Sequence, residues 1–118
     1  KILVVDDNAQ MRNLLRITFN SYPQYAFFQA QSGQEAIDVI KAEHPDIIFL
    51  DVMMPGEIDG LGLCSQIKAS SNPCYVVMFS AKGQQSDIDL GMKAGADLYK
   101  VKPLSPAELI NIVEQFTA

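Results

Sequence analysis

Tryptophan is absent from this sequence, histidine occurs once and cysteine only twice. Cys64 and Cys74 are too few for a disulfide framework and stand in no metal-ligand spacing, so they read as free thiols of a reducing, cytoplasmic compartment. His44, next to Pro45 at the end of a helical pattern, reads as a surface or capping residue. No apolar run approaches the roughly 20 residues of a membrane span. No basic cluster exists either: 9 scattered Lys and Arg face 14 Asp and Glu, a net charge of -5, which argues against a dedicated nucleic-acid surface. Low-complexity segments and solenoid repeats are missing. No leader is visible, and because the chain opens on Lys1 rather than Met this implies nothing about what precedes it.

What remains is an ordinary globular chain of 118 residues, 48% apolar and 19% charged, enough for one domain. Strand-like and helix-like patterns alternate along it. Strands are expected at 1–6, 25–30, 46–51, 74–80 and 97–102. Helices are expected at 9–20, 33–44, 58–69, 84–94 and from Ser105 onward, the last with Glu108 completing a capping box. In the first helix Met11, Leu14, Leu15, Thr18 and Phe19 fall on one face. In the last, Leu109, Ile112, Val113 and Phe116 are expected in the core. The helix at 84–94 is the weakest, interrupted by Gly91 and poor in apolar anchors.

Five strands alternating with five helices predict an α/β fold around a parallel sheet. Strands one, three and four are nearly continuous apolar runs, as strands covered on both faces should be. The fifth alternates and the second is short and mixed, which suits edges. The doubly wound order 2-1-3-4-5 follows, with its switch point between strands one and three.

That order gives the stretch "PDIIFLDVMMPG" its meaning. A buried run aims Asp51 at the crevice where the first strand delivers Asp6 and Asp7. Two like charges about 4 Å apart repel by roughly 4 kcal/mol at an effective dielectric near 20. Such a cluster is tolerable if one acid is protonated, if a lysine is near, or if a divalent cation binds, and carboxylates are the hard oxygen ligands Mg²⁺ prefers. Lys102, before Pro103, ends the fifth strand, and the Ser80 hydroxyl ends the fourth. Each signal alone is weak, but together they converge on one rim.

These motifs carry a resemblance. "VVDDN", "DIIFLDVMMPG", "FSAK", "GADLYKVKP" and the closing "AELINIV" resemble the receiver domains of two-component response regulators over essentially the whole chain. The spacing of Asp7, Asp51, Ser80, Tyr99 and Lys102 is similar to that of the chemotaxis members. The resemblance implies a flavodoxin-like fold and a single receiver domain over 1–118, free-standing or cut from a longer protein. It implies that Asp51 accepts a phosphoryl group from a sensor histidine kinase or phosphotransfer protein. Mg²⁺ would be held by Asp7, Asp51 and the Met53 backbone carbonyl, with Asp6 acting through water. Lys102 would pair with the resting Asp51 and later with a phosphoryl oxygen, and Ser80 would donate to another. Lys102–Pro103 would be cis. Ser80 and Tyr99 would relay the change to a face made of the fourth helix, fifth strand and fifth helix, and a homodimer through that face is a further expectation. Met53 and Lys82 hold positions that tune phosphoryl lifetime in this family, and the apolar Met53 predicts slow loss. One residue more than the commonest pattern separates Asp51 from Asp59-Gly60, which predicts a bulged loop. Such a domain is a phosphoacceptor rather than a turnover enzyme, without direct contact to nucleic acid or membrane.

Other chemistries fit less well. An aspartyl-nucleophile phosphatase usually needs an Asp two residues after its nucleophile, where Asn8 follows Asp6. A flavin module needs a Ser/Thr/Gly-rich phosphate loop, where "DDNAQ" is acidic. A receiver-like interaction domain that never carries phosphate would have no need of Asp51, Ser80 and Lys102 together.

Overall fold

The computed structural model describes residues 1–54, 59–70, 73–81 and 83–117. Within them the expected alternation is realised as β1 (Ile2–Val5), α1 (Ala9–Asn20), β2 (Phe27–Ala30), α2 (Gly33–Glu43), β3 (Ile47–Asp51), α3 (Gly60–Lys68), β4 (Tyr75–Ser80), α4 (Gln85–Lys93), β5 (Leu98–Val101) and α5 (Pro106–Thr117). The strands form one parallel sheet in the order β2-β1-β3-β4-β5, the flavodoxin-like arrangement with its switch point between β1 and β3. Each strand is a residue or two shorter than the span the sequence suggested.

The two-residue repeat of a strand sorts the core into two layers. Ile2, Val4, Phe49, Val77 and Phe79 face one side, where Leu15 and Phe19 of α1 and Leu109, Ile112 and Val113 of α5 cover them. Leu3, Val5, Ile48, Leu50 and Met78 face the other, against Ala36 of α2 and Leu63, Cys64 and Ile67 of α3. β1, β3 and most of β4 are buried on both faces, which explains their lack of alternation. Fully burying a Phe side chain such as Phe49 or Phe79 stabilises the fold by about 1.5–3 kcal/mol.

Helix starts follow from short polar side chains. Asn8, Ser32 and Asp59 each accept from a backbone N–H in the first turn of α1, α2 and α3. At α5 the capping box forms: the Glu108 N–H donates to Ser105 Oγ at 3.2 Å. His44 caps the C-terminus of α2 in the left-handed region, at φ 49°, and is exposed, as the sequence suggested. α4 has no side-chain cap and buries only Gly91.

Two residues depart from their expected places. Leu14 is exposed, in an open groove with Pro106 and Ile110 of α5, while its neighbour Leu15 takes the core position. Phe116 is exposed at the last turn of α5, where its ring lies 5.0 Å from that of Tyr75 at the sheet's lower rim. Among the described residues no helix is long and apolar enough to cross a membrane.

Candidate functional site

Residue parity places the site. Asp6 follows Val4 by two residues, and Asp51 follows Phe49 by two, so both carboxylates emerge on the face covered by α1 and α5. Asp51 is in register with Phe79 on β4, and Phe79 with Lys100 on β5, so Lys102 leaves its strand on that face too. Carboxylate oxygens of Asp6, Asp7 and Asp51 all lie within 4.8 Å of one another. Asp6 and Asp51 are buried and Asp7 is exposed, so one side of the cluster opens to water.

Each acid is fixed by local bonds. Asp6 Oδ1 accepts from the Asn8 N–H at 2.9 Å, and Asp6 Oδ2 from Lys102 Nζ at 3.1 Å. Asp51 Oδ1 accepts from the Met53 N–H at 3.2 Å, while Lys102 Nζ stands 3.7 Å from Asp51 Oδ2. The ammonium therefore bridges the two buried acids and is nearer Asp6, where the resemblance pointed first to Asp51. Lys102 is itself set by its backbone: its N–H donates to the Ser80 carbonyl at 2.7 Å, and the Lys102–Pro103 bond is cis.

Among the described residues one cation, Lys102, faces two buried carboxylates and does not balance them. Burial, and next the charge of Asp6, push the Asp51 carboxyl up from 3.8 to about 6, while Lys102 and the Met53 N–H pull the other way. Such a site favours protonation or a further positive charge. Hard oxygen donors at this spacing suit a small divalent cation such as Mg²⁺, so the residues present fit the metal that the resemblance implied.

Ser80 ends β4 fully buried, on the opposite face from Asp51 by parity. Tyr99 is half-buried on β5 against α4. An added Cβ at Gly91 would lie 2.7 Å from Tyr99 Cδ2 and 3.0 Å from Met78 Sδ. The sequence suggested that Gly91 interrupts α4; instead the helix runs through it, and its bare backbone receives the tyrosine ring. The side chain of Met53 is exposed beside the cluster. Lys82 and the loop expected to bulge, 55–58, lie outside the described residues.

Three residues to which sequence reasoning gave no role also shape the site. Arg12 of α1 donates through Nη1 to the Asp6 carbonyl at 2.7 Å, tying the helix to the acidic turn. Gly60 lets the start of α3 touch the end of β3, for a Cβ there would collide with the Asp51 carbonyl. Phe79 presents its ring 4.9 Å from Lys102 Nζ. At the opposite end of the sheet, away from the site, Asp97 Oδ2 accepts from both Lys68 Nζ and the Val76 N–H, each at 2.8 Å, which fastens the start of β4 to β5 and α3. Arg12 bonds to main chain, as Asp97 does in part, and no residue pattern announces such contacts.

This fold and this acid–lysine cluster define a class, and comparison with known proteins agrees. Residues 2–114 match the response regulator receiver domain family, and the chain belongs to it. It is 43% identical over 110 residues to the transcriptional regulatory protein ResD of Bacillus subtilis, covering 93% of this chain and 45% of that protein. It is 42% identical over 109 residues to the "Probable transcriptional regulator ycf27" of Porphyridium aerugineum, covering 92% of this chain and 44% of that protein. The chain thus spans less than half the length of these relatives. Among solved structures it is similar to the receiver domain of the Francisella response regulator 1452, with TM-score 0.88 and 30% identity over 98% of this chain and 93% of that one. It is also similar to a chain of the CheX–CheY–BeF3–Mg²⁺ complex of Borrelia burgdorferi, with TM-score 0.86 and 30% identity over 99% of this chain and 88% of that one.

Proposed function

We propose that Asp51 accepts a phosphoryl group from a phosphohistidine of a kinase or phosphotransfer protein, and that this chain is the receiver of a two-component system. The observation that carries the reading is the convergence of Asp6, Asp7 and Asp51 within 4.8 Å, with Lys102 at their edge. Asp51 Oδ2 attacks phosphorus in line, and the electron pair of the broken P–N bond stays on the departing imidazole. The strand end and the Met53 N–H hold the Asp51 carboxylate in one orientation. Lys102 leaves its place between the acids to pair with a phosphoryl oxygen, and the Ser80 hydroxyl donates to another. Asp7, Asp51 and the Met53 carbonyl, with Asp6 through water, would hold Mg²⁺, which would supply positive charge against the incoming phosphoryl group. The B. burgdorferi relative, crystallised with BeF3 and Mg²⁺, supports that metal choice.

The domain acts as a phosphoacceptor that assists its own phosphorylation and dephosphorylation, not as a turnover enzyme. Output passes through Ser80 and Tyr99 to the face of α4, β5 and α5. Support comes from the thin anchoring of α4 and from Leu90 and Val101, which are 54% and 42% exposed on that face. A homodimer or an effector would bind there, without nucleic-acid or membrane contact by this domain. A cytoplasmic site of action suits two free cysteines whose thiols burial pushes up, Cys64 to about 11.

The test is intact-mass spectrometry after incubation with acetyl phosphate and Mg²⁺. The wild-type chain gains one phosphoryl group and Asp51→Asn gains none. Failure of the wild type to gain mass, or equal gain by the variant, overturns the reading.

A further inference from the structure

The Lys102 ammonium has a third neighbour besides the two acids. The ring of Phe79 lies 4.9 Å from Nζ, within reach of a cation–π contact. Phe79 is fully buried. Its register fixes the arrangement: it pairs with Asp51 on one side and Lys100 on the other, so the ring stands on the same sheet face as the cluster, beneath the lysine that leaves β5.

We propose that Phe79 is a positioning residue for phosphoryl transfer, holding the Lys102 ammonium between Asp6 and the phosphoacceptor. This rests on the reading of Asp51 as that acceptor. A lysine ammonium has three N–H donors and no fixed geometry of its own. Asp6 takes one donor at 3.1 Å and draws the cation toward β1. An anionic partner on the other side would consume a second donor and add repulsion to an already acidic site. The ring face attracts the charge without either effect. It leaves donors free for an oxygen on Asp51, and it keeps the side chain from settling wholly onto Asp6. An aliphatic residue at position 79 would fill the core but would not oppose that drift.

The test separates the ring's electronics from its bulk. Full-length chains carrying mono-, tri- and pentafluorinated phenylalanine at position 79 keep nearly the same shape while the ring face loses its negative potential. The rate of phosphorylation by acetyl phosphate is expected to fall stepwise along the series, by about three- to tenfold at the end. The urea midpoint should stay unchanged. A flat series overturns the proposal, since a residue serving only as core packing would give it. In parallel, ring-current shifts of the Lys102 ε-methylene protons are read by NMR in the wild type and in Phe79→Leu. They are expected to sit upfield in the wild type and to return to ordinary values in the variant; identical shifts overturn the proposal. The NMR comparison decides the matter if a fluorinated chain fails to fold. If the wild type takes up no phosphoryl group, the Asp51 reading falls, and the shifts alone decide whether Phe79 places Lys102.

Discussion

Lys102 donates to Asp6 at 3.1 Å and stands 3.7 Å from Asp51, so its ammonium is committed more to the first acid than to the second. The consequence falls on Asp51. It is 4% exposed, it feels the charge of Asp6, and its cation is shared. The strand end that presents Asp51, the proposed phosphoacceptor, is therefore electrostatically unfavourable in the metal-free chain.

Replacing the charge should stabilise the metal-free fold. The Asp51 carboxyl titrates near 6 when folded against 3.8 as its ordinary value. A raised acid disfavours the folded state fully above its folded pKa, and the penalty fades as pH falls through about 6 toward 3.8. Asp51→Asn is thus expected to gain about 1–3 kcal/mol in urea unfolding near neutral pH, with the gain largely gone near about pH 4. A variant less stable than wild type at neutral pH would contradict this account.

Metal should reverse the penalty, and Asp7 isolates that effect. Asp7 is exposed, so Asp7→Asn should change metal-free stability by no more than about 0.5 kcal/mol. Mg²⁺ at ten times its dissociation constant should stabilise the wild type by about 1.4 kcal/mol. The same concentration should give Asp7→Asn much less. Equal stabilisation of both would remove Asp7 from the ligand set.

Much of this was legible in residue order because burial and pairing leave marks on sequence. Unbroken apolar runs at 2–5 and 47–50 marked strands covered twice, and the alternation at Leu98, Tyr99 and Lys100 marked an edge. Acids at the ends of neighbouring strands followed from that order. Contacts set by register were not legible. The Phe79 ring meets Lys102 only because β4 and β5 align Phe79 with Lys100. Arg12 bonds a carbonyl, and Asp97 an N–H, groups every residue has. Leu14 and Phe116 fit their helical stripes, yet helical spacing alone does not say which edge of a stripe reaches the core.

The Met53 side chain is 53% exposed beside the acids, an apolar group where a polar one could orient water. Met53→Asn is expected to shorten the phospho-Asp51 half-life by about three- to tenfold, below the effect of a positioned acid or base. Its backbone N–H remains, so the Asp51 carboxylate keeps its bond. Half-lives measured by loss of phosphoryl mass check this, and a longer lifetime in the variant would reject it.

Gly91 and Tyr99 should be energetically coupled, because the ring occupies space that any side chain at Gly91 would claim, 2.7 Å from the Cβ position. On an isolated helix, Gly→Ala stabilises by about 1 kcal/mol. Here the gain must be set against displacement of the ring and of Met78 Sδ. Gly91→Ala is therefore expected to be neutral or destabilising in the wild-type background and stabilising once Tyr99→Ala has emptied the slot. The double-mutant cycle should give a coupling of about 1 kcal/mol or more. A displaced ring should also alter how the phosphorylated chain is read on the α4–β5 face, so binding by Gly91→Ala should fall even where its phosphorylation rate is normal. Additive stabilities would mean that the ring moves aside freely, and the slot would then have no part in holding Tyr99.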